Sequence, residues 1–308
     1  NLFDKVTHAL YLLEKLSESS MPFIFKGGTS LLLLLQELRR LSIDIDIIVP
    51  KSVTIAEINE ILKNIVRTSS FTRYEEQERH YSQIPKAHFK LFYESPFDQS
   101  EVYVLLDVLF EENPYSRLES IDIICPFIDT TPPNVTVKVP SIADILGDKL
   151  TAFAPNTTGI LYDKEKEMEI IKQLFDIESL FDQLSTTNGV KDTFIRCAEQ
   201  ELNYRQLTEM NYENVLDDIF KTAIIIGGRG SFDKETFLKL ENGIRRIKSH
   251  IINRNYIVEE AVVSASKAAY LSMLLKYRQE DIEKYHPKET LPELEGVPLF
   301  KKMAKIKN

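Results

Sequence analysis

An alternation of isoleucine and aspartate, Ile43-Asp44-Ile45-Asp46-Ile47, sets the first limit on the fold. Because successive residues of a strand point to opposite faces, it predicts a strand over 43–49 with one apolar and one acidic face. Asp44 and Asp46 then lie about 6 to 7 Å apart on one face. Two such carboxylates repel each other unless a divalent cation lies between them, and Mg²⁺ prefers hard oxygen ligands. The pair indicates a metal site; the alternative is a surface strand, although aspartate has poor strand propensity.

Upstream, a short apolar strand is predicted over 22–25, a glycine turn at Gly27-Gly28 and a leucine-rich helix over 30–38. In this arrangement free backbone N–H groups and hydroxyls can hold a phosphate at the positive end of the helix. The run lacks the ending of a P-loop and the third glycine of a dinucleotide fingerprint. Together with the two-aspartate strand, it predicts a site for a metal-bound nucleoside triphosphate. The candidate nucleotide-binding residues are Lys26, Gly27, Gly28, Thr29, Ser30 and Ser42.

A third carboxylate, Asp107, interrupts the otherwise apolar segment Val102–Phe110. An unpaired charge in such a segment is costly, so Asp107 needs a partner. If its strand neighbours the strand of Asp44 and Asp46, the three carboxylates form a cluster for two-metal phosphoryl transfer, and Asp107 can activate the attacking hydroxyl. The alternative is a carboxylate at a strand edge that faces solvent.

The character of the chain changes at 130–140, a segment with three prolines. Helical and strand patterns are mixed before it, whereas the strand patterns nearly stop after it. We therefore predict an α+β domain over 1–140 and a helical bundle over 141–308. In the first domain, helices are predicted over 2–20 and 55–66, and further strands over 71–76, 87–93, 102–110, 121–125 and 135–139. In the second, helices are predicted over 142–154, 164–183, 191–202, 212–226, 234–253 and 258–277.

Composition excludes several classes of protein. The formal net charge of −9 argues against unspecific binding to nucleic acid, although a local basic patch is compatible with it. Two distant cysteines and five histidines without a metal-binding spacing predict neither a disulfide framework nor a His/Cys metal site, and we assign the histidines to packing or to the surface. No apolar run reaches the roughly 18 residues of a membrane helix, and no signal peptide is visible. We expect a cytoplasmic protein without a membrane partner.

Four ordered motifs resemble those of the AbiEii family of nucleotidyltransferase toxins, which belong to the polymerase β-like superfamily. They are GGTS at 27–30, RLSIDID at 40–46, DILGDKLTA at 144–152, similar to a family helix with a DKLxA lysine, and KQLFDI at 172–177, similar to the family's (R/K)DxxD(L/I) helix. The resemblance implies a polymerase β-like nucleotidyltransferase domain with a mixed β-sheet, followed by a C-terminal helical domain that contributes Lys149 and Asp176 to the active site.

The resemblance also implies a role for each motif residue. Gly28 and Ser30 become phosphate-turn residues, Asp44 and Asp46 metal ligands, Lys149 a triphosphate contact, and Asp176 a second active-site acid. A fixed ammonium beside the pyrophosphate leaving group stabilises the transition state more than the ground state. On the residue pattern alone, Lys149 would instead be a solvated lysine and Asp176 an exposed helix acid.

Two departures from the family pattern concern the second domain. Gln173 occupies the position where the family usually has the first acid of its helix. The segment Pro155–Lys166 separates Lys149 from Asp176 by more than the usual length and is a candidate loop over the nucleotide. Neither departure touches the two-aspartate strand.

The reaction that the resemblance implies is Mg²⁺-dependent transfer of a nucleoside monophosphate from an NTP to an acceptor hydroxyl, with release of pyrophosphate. Asp107 or Asp176 would assist the nucleophile. Family relatives point to an RNA acceptor such as the tRNA 3′ end, and its modification would block translation. They also point to a cognate antitoxin or regulator in a toxin–antitoxin or phage-abortive system. Two alternatives remain open: a small-molecule or protein acceptor, and an NTP-binding module that no longer catalyses.

Basic residues in the second domain are the candidate contacts for RNA. One group lies on the helix predicted over 234–253, and a second forms a tail near the end of the sequence. The alternative is a solvated helix face and a ragged terminus. The residues are Arg245, Arg246, Lys248, His250 and Arg254 in the first group, and Lys301, Lys302, Lys305 and Lys307 in the second.

Overall fold

The computed structural model describes residues 2–37, 39–77, 84–162, 165–252 and 254–284. The chain divides into two compact units, Asn1–Ser141 and Ile142–Asn308. The predicted basic tail at 301–307 lies outside the described residues, as do His80 and His286.

The first unit mixes helices and strands, so the predicted α+β class is confirmed. Its elements are α1 (Leu2–Ser17), β1 (Ile24–Lys26), α2 (Gly27–Leu34), β2 (Ile45–Val49), α3 (Ile55–Thr68), β3 (Phe71–Glu76), β4 (Lys86–Glu94), β5 (Glu101–Phe110), β6 (Leu118–Asp122) and β7 (Thr136–Pro140). Five strands form a mixed sheet in the order β1-β2-β5-β4-β3, and β6 pairs with β7. Strands β2 and β5 are parallel, whereas the other neighbours in this sheet are antiparallel.

One face of the five-stranded sheet forms the core of this unit. Along β5 the buried residues are Val104, Leu106 and Val108, with the period of two that a half-buried strand requires. Helix α1 covers this face: the ring of its His8 stacks on that of Tyr93 with centroids 3.5 Å apart. The opposite face, which carries Asp46 and Asp107, is the polar one.

Two boundaries near the glycines differ from the sequence prediction. Gly27 and Gly28 are the first residues of α2, not a separate turn, and the helix ends at Leu34 instead of Leu38. Strand β2 begins at Ile45, so Asp44 precedes the strand. The physical reason is that β1 ends opposite Asp46, and the Asp44 carbonyl accepts a 2.6 Å hydrogen bond from the Thr29 hydroxyl of α2.

The second unit is helical in its described part. Its helices are α4 (Ile142–Ala152), α5 (Glu167–Phe181), α6 (Val190–Tyr204), α7 (Tyr212–Gly227), α8 (Lys234–Ile247) and α9 (Val258–Lys276). Helix α5 is buried on nearly all sides and packs against α4, α8 and α9, as expected of a helix that is apolar around its circumference. Within the described ranges, every helix is too short or too polar to span a membrane.

The helix predicted over 234–253 ends earlier, so the predicted basic group does not lie on a single helix. Its contact with RNA stays a prediction. Helix α8 ends at Ile247, and Lys248 and His250 follow in a short 3₁₀ turn. Arg254 lies beyond that turn and donates a 2.7 Å hydrogen bond to Glu178 of α5. On α8 itself, Arg245 forms an ion pair of 3.0 Å with Glu241. Two of the five bases, Arg245 and Arg254, therefore contact carboxylates of the same unit.

The segment after Lys149 packs into the second unit instead of forming an open loop. The Asp218 carboxylate on α7 accepts hydrogen bonds from the Asn156 amide N–H (2.8 Å) and the Thr157 hydroxyl (2.9 Å). Arg205 of α6 donates to the carbonyls of Thr158 and Gly159 at 2.6 and 2.8 Å. These contacts hold 156–159 against α6 and α7; Asp163 and Lys164 lie outside the described residues.

Glu178 is the ionic centre of the second unit's core. Its carboxylate binds Arg254, Lys267 at 3.4 Å and the Ser264 hydroxyl at 2.7 Å. Burial by itself raises the pKa of Glu178, but the hydrogen bonds from Arg254 and Ser264 and the charges of Arg254 and Lys267 outweigh it. The net pKa lies below the ordinary value of 4.5. The carboxylate is therefore charged in the core at neutral pH.

We predict that Glu178→Gln lowers the free energy of unfolding by about 3 kcal/mol at pH 7, because it leaves two cations without their buried partner. Because the folded pKa is depressed, this contribution is complete above pH 4.5 and disappears as the pH falls through the lower folded value. Urea unfolding at pH 7 and between pH 3 and 5 measures both effects. The matched control is Glu259→Gln, a half-exposed partner of Arg229, with an expected loss below about 1 kcal/mol. Equal losses in the two variants would contradict the prediction.

Candidate functional site

Four side chains form a row across the polar face of the five-stranded sheet, which we call the charged row: Lys26, Asp46, Asp107 and His88. The register places Lys26 opposite Asp46, Asp46 opposite Asp107, and Asp107 opposite His88. Residues in register on neighbouring strands point to the same face, with strands about 4.8 Å apart. The expectation that the strand of Asp107 neighbours that of Asp46 is confirmed.

Asp107 has its partner in His88, which the sequence analysis assigned to packing or to the surface. Nδ1 of His88 and Oδ1 of Asp107 are 2.6 Å apart. The His88 side chain is 7% exposed and that of Asp107 is 32% exposed. The sequence signal for His88 is its spacing: it lies two residues from Lys86 and from Lys90, so the three side chains share the polar face of β4.

The two glycines at the start of α2 bring that helix end against the charged row. Gly27 has φ +79°, and a Cβ at this position would overlap the Asp46 carboxylate. A Cβ at Gly28 would overlap the Arg40 guanidinium and come within 2.9 Å of the Ser42 hydroxyl oxygen. The first turn of α2 therefore lies directly beside Asp46, Arg40 and Ser42. Arg40 belongs to the RLSIDID motif, but its sequence context alone indicated no role.

The hydroxyls of Thr29 and Ser30 are used inside the turn. Thr29 donates to the Asp44 carbonyl, and the Ser30 hydroxyl donates a 2.8 Å hydrogen bond to the Gly27 carbonyl. Both residues are fully buried. Their hydroxyls thus hold the end of the helix in place.

Asp44 lies two residues before Asp46, outside the strand and half-buried. Among the residues that the structure describes, no group of three Asp, Glu, His or Cys side chains is arranged to hold a metal ion. The cluster of Asp44, Asp46 and Asp107 therefore stays a prediction. What the structure does bring together is the pair Asp46 and Asp107, by register on adjacent parallel strands.

In the second unit, Lys149 and Asp176 form a buried ion pair. Nζ of Lys149 on α4 is 3.0 Å from Asp176 Oδ2 on α5 and donates a 3.0 Å hydrogen bond to Gln173 Oε1. The side chains of Lys149 and Asp176 are 10% and 1% exposed. The reading of these two residues as solvated surface groups is wrong, because the packing of α4 on α5 encloses them. Gln173, in the family's acid position, supplies a neutral oxygen to the same ammonium.

We predict that Gly27→Ala destabilises the protein by about 2 kcal/mol, since alanine is strained at this φ and its methyl group displaces the Asp46 carboxylate. Chemical denaturation measures the change. The control is Gly227→Ala at the end of α7, where no described atom lies within 4 Å of the added Cβ. We expect that variant to be unchanged or more stable by up to about 1 kcal/mol. A Gly27→Ala protein as stable as the wild type would show that the turn tolerates a side chain.

No curated protein matches the sequence. Among solved structures, JHP933 from Helicobacter pylori is similar, with 14% identity over 89% of this chain and 90% of that chain and a TM-score of 0.48. An antigenic nucleotidyltransferase-like protein from Paracoccidioides brasiliensis has 13% identity over 67% of this chain and 91% of that chain, with a TM-score of 0.42.

The family comparison is the decisive one. The profile described as "Nucleotidyl transferase AbiEii toxin, Type IV TA system" matches residues 10–281. The match covers well over half of the chain and extends beyond the four motifs, which end near residue 180. The chain therefore belongs to the AbiEii family of nucleotidyltransferase toxins of type IV toxin–antitoxin systems.

Proposed function

We propose that this nucleotidyltransferase transfers a nucleoside monophosphate from an NTP to a hydroxyl of an RNA acceptor, such as the tRNA 3′ end, with Mg²⁺ and with release of pyrophosphate. The observation that carries the proposal is the register that sets Asp46 beside Asp107, with the first turn of α2 against Asp46. Carboxylates and a helix N-terminus side by side are the two halves of a site for a metal-bound triphosphate.

The acids of the first unit suit Mg²⁺ by their chemistry, because carboxylate oxygens are the hard ligands that this ion prefers. Asp46 and Asp107 offer carboxylate oxygens from adjacent strands, and Asp44 offers a third carboxylate two residues away. Two carboxylates at this spacing repel each other, and a divalent cation offsets the repulsion. When bound, Mg²⁺ neutralises charge on the phosphates and polarises the reacting phosphoryl group. We assign Asp44, Asp46 and Asp107 as the ligands that would hold it.

The phosphates are assigned to the first turn of α2. Its opening N–H groups have no intrahelical acceptor, and Lys26, the residue before the helix, has no acceptor side chain with which to cap them. Glycines at 27 and 28 add no side chains of their own beside the backbone N–H groups. Ser42 and Arg40 lie against Gly28 and add a hydroxyl and a guanidinium, which is a geometrically suitable partner for phosphate.

Activation of the acceptor hydroxyl is assigned to Asp107. Its carboxylate is partly exposed on the polar face, so a hydroxyl can approach it, and it can accept the proton as the new phosphodiester bond forms. The leaving group is pyrophosphate. The family resemblance implies that Asp176 is a second active-site acid. Because it contacts Lys149, we assign it the role of orienting that ammonium.

Lys149 is assigned to the triphosphate. An ammonium has three N–H donors, and among the described residues two of them serve Asp176 and Gln173. We assign the third to a phosphate oxygen, where the positive charge stabilises the pyrophosphate as it leaves.

The type IV toxin–antitoxin description of the family supports an antitoxin partner that controls the toxin. We propose the RNA acceptor on the resemblance of the motifs alone. An overall charge of −9 means that RNA binding depends on local bases and not on the net field of the protein. We place the reaction in the cytoplasm, where NTPs and tRNA meet.

We predict that the purified protein with Mg²⁺, total tRNA and an α-labelled NTP transfers label to RNA, and that Asp46→Asn lowers the rate by about 10²-fold or more. The loss follows from removal of a carboxylate that would hold the cation. Each of the four NTPs is tested in turn. The matched control is Asp122→Asn, an exposed aspartate on β6 that is expected to leave the rate unchanged.

The outcomes separate the alternatives. Label on RNA that persists in Asp46→Asn would contradict the assigned site. Pyrophosphate release from a cell extract without label on RNA would move the acceptor to a small molecule or a protein. NTP binding without any pyrophosphate release would leave an NTP-binding module.

We predict that Lys149→Met lowers the transfer rate by about 10²-fold and also destabilises the fold, because it removes the ammonium that pairs with the buried Asp176 carboxylate. The double variant Lys149→Met, Asp176→Leu removes both charges. It is expected to recover stability but not activity, since apolar residues of similar volume often replace a buried ion pair at no cost. Urea unfolding and initial transfer rates measure the two effects. Recovery of activity in the double variant would show that the lysine acts only on folding.

A further inference from the structure

The pair His88 and Asp107 is the feature of the charged row that the proposed transfer does not yet explain. His88 lies on β4, directly opposite Asp107 on the central strand β5. The residues on either side of it, Ala87 and Phe89, are buried on the core face. His88 points to the polar face and is nevertheless almost fully enclosed. A buried imidazole that contacts a partly exposed carboxylate has the geometry of a support for that carboxylate.

We propose that His88 is a positioning residue for Asp107: its imidazole holds Oδ1 of the carboxylate so that Oδ2 is presented to the cation and the acceptor hydroxyl. The proposal rests on the proposed function, because it assigns His88 to the same site.

The hydrogen bond defines the state of the imidazole. An ionised carboxylate only accepts hydrogen bonds, so Nδ1 of His88 carries the proton and donates a 2.6 Å hydrogen bond to Oδ1. Hydrogen bonds with a charged acceptor are shorter and stronger than neutral ones, and 2.6 Å is short for an N–H···O contact. One carboxylate oxygen is thereby committed to the protein, which leaves the other for an external ligand.

The carboxylate needs such a support because of its neighbour on the other side. Asp46 is in register with Asp107 on the adjacent strand, about 4.8 Å away, and the two negative charges repel each other. The terminal torsion of aspartate is broad, and Asp107 is exposed enough to swing towards solvent. His88 binds it from the side opposite Asp46 and opposes that motion. The expected cost of losing a support of this kind is about 10- to 100-fold in metal affinity or activity.

The test uses three substitutions of His88. Leucine fills most of the volume without a donor, asparagine retains an N–H near the position of Nδ1, and glutamine places its N–H near the position of Nε2. We measure kcat, KM for NTP, the Mg²⁺ concentration for half-maximal rate, and the affinity for Mn²⁺ by electron paramagnetic resonance with the protein free of nucleotide. Thermal unfolding of each variant reports folding separately.

The matched control is the second His–Asp pair of the same unit. Nδ1 of His8 lies 3.1 Å from Oδ1 of the buried Asp4, on the core face of the sheet. His8→Leu is expected to lower stability and to leave kcat, the Mg²⁺ requirement and the Mn²⁺ affinity within about twofold of the wild type. It therefore separates the loss of a buried imidazole from the loss of this particular contact.

We expect His88→Leu to lower kcat or to raise the Mg²⁺ requirement about 10- to 100-fold and to weaken Mn²⁺ binding by a similar factor, with KM for NTP nearly unchanged. His88→Asn is expected to recover most of both losses, and His88→Gln little of them. Mn²⁺ affinity and kcat within about twofold of wild type in His88→Leu would overturn the proposal. If that variant does not fold, equal behaviour of the asparagine and glutamine variants would overturn it.

The proposed function can fail independently. A wild-type protein that transfers no label removes the nucleotidyl-transfer assignment, while the Mn²⁺ affinities of the wild type and the His88 variants still decide whether His88 orients the Asp107 carboxylate.

Discussion

The parallel pairing of β2 with β5 is the contact on which the site depends. Ile45 and Ile47 on β2, and Leu106 and Val108 on β5, are buried on the core face, and the acids lie between them on the opposite face. A slip of one residue would turn the acids into the core and the aliphatic residues towards solvent. The burial of four aliphatic side chains therefore determines the register, and the register sets Asp46 beside Asp107. The apolar core positions two like charges that would otherwise separate.

The other contacts of the charged row compensate for that arrangement. On one side, β1 pairs with β2 so that Lys26 is opposite Asp46, and the chain then enters α2 at a glycine that approaches the Asp46 carboxylate. On the other side, β4 pairs with β5 so that His88 binds Asp107. Each carboxylate thus has a basic residue in register on the side away from the other carboxylate. The repulsion in the middle of the row favours a cation there.

The sequence predicted the faces of the strands better than it predicted their neighbours. The alternation in Ile43–Ile47 indicated an acidic face, and the apolar run Val102–Phe110 indicated a strand around Asp107; both are local patterns. The partnership of Asp107 with His88 depends on register between segments 19 residues apart, which no local pattern encodes. Asp44 lies outside the strand because its carbonyl accepts a hydrogen bond from the Thr29 hydroxyl of α2, which is again a contact between distant residues. Local periodicity therefore predicts the face on which a side chain lies, whereas the pairing of the strands determines which side chains it contacts.

Contacts between distant segments also explain why the residue pattern alone predicted Lys149 and Asp176 as solvated groups. Asp176 and Glu178 are two residues apart on α5, so they point in nearly opposite directions around the helix. Glu178 meets Arg254 and Lys267, and Asp176 meets Lys149, so α5 carries one ionic centre on each side. Removing water from such pairs costs free energy that apolar residues would not incur. Stability alone therefore gives no reason for a lysine at 149, whereas the proposed contact with a triphosphate would give one, because it needs a fixed positive charge.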